Sequence, residues 1–201
     1  MAWLFLSVQQ HAVPNATVMA MTLLPTMLLA AHLDARVTAA QTFVATASVK
    51  TAAGALITAP VTIVLSRWTS DDEREKAIAA LKQGEAALKT AMDAMPEIGT
   101  IQLGGRTTPV RFARSLDTAG GGKVVTIVAS QPILHLGAGL PEAKPRAGYP
   151  FAFATFEVDA TGKGTAGDLA PAAKLKIADN GALVVDDYGT EAVRLTAIAT
   201  K

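Results

Sequence analysis

The chain has 201 residues, half of them hydrophobic and 17% charged, with no cysteine and 18 Lys and Arg against 17 Asp and Glu. That balance lacks the basic excess on which recognition of a phosphate backbone depends, so no nucleic-acid partner is expected. The apolar content argues against disorder, and the absence of cysteine excludes disulfides, iron–sulfur ligation and thiolate zinc sites.

The first charged residue is Asp34, and Thr17 to Ala31 is an apolar run, TVMAMTLLPTMLLAA, broken once by Pro25. Small residues follow at Val37-Thr38-Ala39-Ala40. An apolar core followed by a small-residue junction is what a signal peptidase cuts, so residues 1–40 are expected to be a signal peptide and residues 41–201 a single β-rich domain. No Lys or Arg precedes the run, which departs from the usual positive n-region. As a helix the run covers roughly 22 Å, short of the roughly 30 Å hydrocarbon core, so a retained anchor is the weaker reading. The domain is therefore expected outside the cytoplasm, periplasmic or extracellular, with no integral membrane span once the signal is cleaved.

Thr42 to Lys50 alternates, with Phe43, Ala45, Ala47 and Val49 on one face, and Ile57 to Leu65 repeats the pattern. Period two predicts a hairpin of half-buried strands. Pro60 inside the second run predicts an edge position or a bulge, because proline lacks the N–H that a ladder needs. Ser70-Asp71-Asp72-Glu73 is a capping box, and Ile78, Leu81, Leu88, Met92 and Met95 follow at helical spacing up to Pro96, with Gly84 a possible break. Trp68 is expected to fill a gap beneath that helix.

Ile98–Leu103, Gly104-Gly105 and Thr108–Leu116 read as a second hairpin. Lys123–Ser130, apolar on both faces, reads as a central strand, and Pro150–Val158 as another. Asp159–Asp168 is glycine-rich and reads as a mobile tip. Asn180-Gly181 marks a hairpin between Lys174–Ala178 and Leu183–Asp187, with a type I′ turn expected, and Ala192–Ala199 closes the list. The expected architecture is α+β, mostly antiparallel β: a β-sandwich or open barrel of about nine strands with one long amphipathic helix between strands two and three.

Gln131 to Tyr149 has three prolines, three glycines and no sustained periodicity, the composition of a functional or disordered loop. His135, Lys144, Arg146 and Tyr149 in this loop are the candidate ligand-binding residues. His135 is the one histidine after residue 40, so no metal site and no cofactor is expected. It stands near Ser130 in sequence, yet no G-x-S-x-G elbow is present, and no catalytic residue is assigned. Asp186 and Asp187, as strand neighbours, should face opposite ways and not converge as a carboxylate pair. The expected function is a non-catalytic binding or interaction module for an unknown protein or small-molecule ligand. The opposing readings are a hydrolase using His135 or carboxylates, and a structural, envelope-associated protein.

Overall fold

The two alternating runs at the start of the domain pair as predicted. In the computed structural model, which describes residues 40–50, 54–133 and 147–201, β1 (Gln41–Lys50) and β2 (Leu56–Leu65) run antiparallel from Gln41 opposite Leu65 to Lys50 opposite Leu56. Phe43, Ala47, Ala59, Val61, Ile63 and Leu65 turn to the same side and are buried. On its other edge β2 pairs with β3 (Gly99–Leu103), so β2 is not an edge strand. The last β3 partner is opposite Val61, however, and Pro60 lies just past it, where that edge of β2 is open. A proline within an interior strand is tolerated there because the ladder on that side has ended.

The segment expected to be one long helix is two. α1 spans Asp71–Lys82 and α2 spans Glu85–Ala94. The capping box forms in full: Ser70 Oγ accepts from the Glu73 N–H and Glu73 Oε2 accepts from the Ser70 N–H. The break comes at Gly84, whose φ of 120° no L side chain adopts comfortably and whose backbone serves as the N-cap of α2. The helices fold back on one another, so Ala77 of α1 and Leu88 and Met92 of α2 share one apolar seam.

Seven further strands follow: β4 (Arg106–Val110), β5 (Phe112–Asp117), β6 (Lys123–Ala129), β7 (Phe151–Val158), β8 (Lys163–Ile177), β9 (Leu183–Tyr188) and β10 (Val193–Thr200). Every pairing is antiparallel, in the order β4-β3-β2-β1-β10-β8-β7-β6-β5, with β9 also on β8. The run expected as a single strand from Thr108 to Leu116 divides at Arg111, and its halves lie at the two ends of that order. The Arg111 N–H donates to Val128 O across the gap, at 3.1 Å. One kinked strand thus brings the two ends of the sheet together, and the sheet is nearly closed, like a barrel. β9 and β10 lie end to end along the edge of β8 away from β7, opposite Ala173–Ile177 and Lys163–Leu169 respectively.

β8 begins at Lys163, inside the stretch expected to be a mobile tip. Asp159 Oδ1 accepts from Thr161 N–H, Thr161 Oγ1 and Lys163 N–H, which ties the turn before it. The glycines of this strand serve close packing: a Cβ on Gly164 would stand 2.2 Å from Glu157 O, and one on Gly167 would stand 2.4 Å from Phe156 Cβ. Flexible composition and a fixed strand are compatible when neighbouring backbone fills the space a side chain would take.

Two apolar clusters result. The inner one collects alternate residues from around the sheet, including Phe43 and Phe156 in edge-to-face contact at 5.0 Å. The outer one lies between the helical pair and the outside of the sheet, with Leu88, Met92, Phe112, Val128, Phe151 and Leu175. Trp68 packs against the inner cluster, not beneath the helices. The reason is the anchor beside it: Thr69 N–H donates to Ala113 O and Thr69 Oγ1 accepts from Ala113 N–H, which pins this segment onto β5.

Candidate functional site

Of the four candidate ligand-binding residues, His135, Lys144 and Arg146 lie outside the described residues. Tyr149 is buried. Its hydroxyl bonds the Asp187 carboxylate, Lys174 Nζ stands 5.2 Å from its ring centre, and the backbone of Gly189 presses on the ring so closely that a Cβ there would meet Cγ at 2.6 Å. Lys174 and Asp187 are themselves cross-strand partners. Tyr149 therefore ties the start of β7 to the β8–β9 pair, and its ring faces are occupied by protein. The other end of the 131–149 segment is held where Ile133 N–H donates to Pro171 O at 2.8 Å.

Ser130 is also buried, and its hydroxyl bonds Asp93. Burial pushes the Asp93 carboxyl up, but hydrogen bonds from Lys89 and Ser130 and the charge of Arg111 outweigh it and hold it below its ordinary value. Asp186 and Asp187 diverge as expected: Asp186 pairs with Lys176 Nζ at 3.1 Å while Asp187 takes the Tyr149 hydroxyl. Among the described residues no group of three or more His, Cys, Asp or Glu is placed to hold a metal ion, and no helix is long and apolar enough to cross a membrane.

A concave surface lined largely by apolar side chains lies elsewhere, on the outside of the sheet. The β8–β9 turn at Ala178–Ala182 builds it. Gly181 N–H donates to Ala178 O, Ala178 N–H to Ala182 O, and Ala182 N–H to Asn180 Oδ1. Only Gly181 has a positive φ (75°), so the turn is a type I turn with a glycine bulge, not type I′. Arg74 of α1 donates through Nη2 to Gly181 O at 3.0 Å and latches the tip of this hairpin onto the helix.

Beside the latched hairpin runs a groove floored by Leu116, Val124, Thr126, Phe153 and Thr155 of β5, β6 and β7 and walled by Leu183, Val184, Val185 and Tyr188 of β9. Its open part encloses about 420 Å³, and a narrower end of about 50 Å³ reaches Arg74, Ile78, Phe112 and Arg114. Arg114 donates to Thr69 O and lies 2.9 Å from Asp71 Oδ1, but that carboxylate is 81% exposed. Four large apolar side chains are exposed among the described residues, and two of them, Leu116 (50%) and Tyr188 (40%), line this groove.

Sequence reasoning did not find this surface. Its trace was the pair of adjacent apolar residues Val124-Val125, which puts apolar groups on both faces of a strand. In β6 one member faces the inner cluster and the other the groove. No family model, curated protein or solved structure matches this chain.

Proposed function

We propose that residues 41–201 form an exported, non-catalytic binding module whose ligand surface is the groove between the β8–β9 hairpin and the outer face of β5–β7. Export rests on the apolar run and small-residue junction of residues 1–40. Binding rests on one observation: Leu116 and Tyr188 stay exposed along a concave, largely apolar surface. Covering apolar area is favourable by about 25 cal/mol per Å², so such a surface gains from an occupant. Its walls are strands with a latched turn, and a preformed groove spends little free energy on ordering itself when it binds.

Native mass spectrometry of the protein recovered from the medium or periplasm tests the reading. Wild-type protein is expected to carry, or to take up from a panel of small ligands, a bound mass that Leu116→Asp removes without lowering the unfolding midpoint. Wild-type protein that retains and takes up nothing defeats it. Turnover of an ester or glycoside that His135→Ala abolishes would replace it with the hydrolase reading.

A further inference from the structure

Among the described residues that line the groove are two arginines and no Asp or Glu, in the open part or at the narrow end. Arg114 has one carboxylate partner, Asp71, which is largely in water, where an ion pair is worth little. Arg74 has no carboxylate partner among the described residues; its guanidinium donates through Nη2 to a backbone carbonyl, Gly181 O. A shallow depression by Leu81 and Glu85 provides the contrast, since Lys174, Lys176 and Asp186 there include a bonded pair of opposite charges. The groove is thus largely apolar along its length and carries two arginines at one end. From Leu183 to Tyr188 the wall runs about 17 Å, at about 3.4 Å per residue of antiparallel strand.

Resting on the binding-module reading, we infer that the groove takes an amphipathic anion, an unbranched aliphatic chain ending in a carboxylate. The carboxylate meets the guanidinium forks of Arg74 and Arg114, whose planar donors match its two oxygens. The chain lies over Leu116 and Val124 toward Val184 and Tyr188. The interior of the sheet does not compete for it, because the inner cluster already fills that side with buried side chains. Charge selects the ligand class here and apolar contact supplies the affinity, the usual division in a site with few polar groups.

The test is titration calorimetry of the full chain at pH 7 with decanoate, 1-decanol and decyltrimethylammonium, each below its aggregation threshold. Decanoate is expected to bind one to one, decanol about tenfold more weakly, and the cation not measurably. Arg74→Gln and Arg114→Gln should each weaken decanoate about tenfold, the loss expected of one charge-assisted hydrogen bond. Leu116→Asp should abolish binding, and Lys176→Gln should leave it unchanged. The unfolding midpoints of Arg114→Gln and Leu116→Asp, which leave the Arg74 latch intact, show that any loss is not loss of fold. Equal binding of all three amphiphiles, removed by Leu116→Asp but indifferent to both arginines, overturns the anionic specificity and leaves the binding-module reading standing. No binding of any amphiphile overturns the inference and counts against that reading as well. Two other occupants would also overturn it: capture by anionic vesicles without affinity for free decanoate, and self-association that Leu116→Asp abolishes.

Discussion

Replacing Glu73 by Gln removes one charge from the start of α1 while keeping the cap that positions the helix. In the wild type Arg67 forks onto this carboxylate, Nη1 to Oε2 at 2.8 Å and Nη2 to Oε1 at 2.7 Å, and Oε2 also accepts from Ser70 N–H. The Arg67 hydrogen bonds, opposed by burial and assisted by Ser70 and by the Arg67 charge, lower the carboxyl from 4.5 to about 2. At about 1.4 kcal/mol per pH unit this sets a ceiling of about 3.5 kcal/mol. The Arg67 and Glu73 side chains are 37% and 21% exposed, so solvent screening reduces the expected contribution to about 1–2 kcal/mol. A Gln at this position still accepts from Ser70 N–H, so Glu73→Gln should lose that amount at pH 7, and Glu73→Ala about 1 kcal/mol more with the cap. The sign follows from linkage. A carboxylate whose folded value is depressed contributes fully above its unfolded value near 4.5 and loses the contribution as pH falls through about 2. Urea unfolding followed by helical circular dichroism should therefore show a gap between wild type and Glu73→Gln at pH 7 that shrinks at pH 4 and 3 and closes below 2. Identical stability at pH 7, or a gap independent of pH, would refute the reasoning.

Other perturbations read other parts of the fold. Leu88→Ala, at a fully buried position under the sheet, should cost about 2–5 kcal/mol in denaturant unfolding, whereas Lys82→Ala should change less than about 0.5 kcal/mol. Ala197 is the single described non-glycine residue with positive φ, at 50°, and it is exposed at the bulge of β10 against β1. Ala197→Gly should raise stability by about 0.5–1 kcal/mol, the left-handed strain relieved less the added chain entropy, read as a higher melting temperature. Gly167→Ala should destabilise by at least about 1–3 kcal/mol, because its Cβ would enter Phe156 and Thr155 O at 2.4 and 2.7 Å. Intact mass of protein from the exported fraction should place the mature start at or near Gln41, and a dominant species retaining Thr17–Ala31 would contradict cleavage.

Local signals carried the elements whose partners are near in sequence. Alternation in Thr42–Lys50 and Ile57–Leu65 marked both strands and their buried faces, and Ser70 with Glu73 marked the start of α1. Asn180-Gly181 located the β8–β9 turn, although the conformation there needs positive φ at only one residue. Each of these depends on the backbone preference or polarity of a few adjacent residues, which the amino-acid sequence states directly. The division at Arg111 is of another kind, because it depends on β3 lying on one side and β6 on the other. The pairing of β1 with β10 sets Ser48 opposite Arg194, a partnership to which no local pattern refers. The glycines of β8 look flexible until the Glu157 and Phe156 backbone is brought against them, and Trp68 is drawn to the inner cluster by the Thr69–Ala113 anchor. The groove belongs with these. Arg74, Arg114, Leu116 and Tyr188 come from one helix and two strands far apart in the chain, and each taken alone is an ordinary surface residue. Composition and periodicity determine which faces are apolar; the path of the nearly closed sheet and the latch of Gly181 onto α1 determine which of those faces stays uncovered.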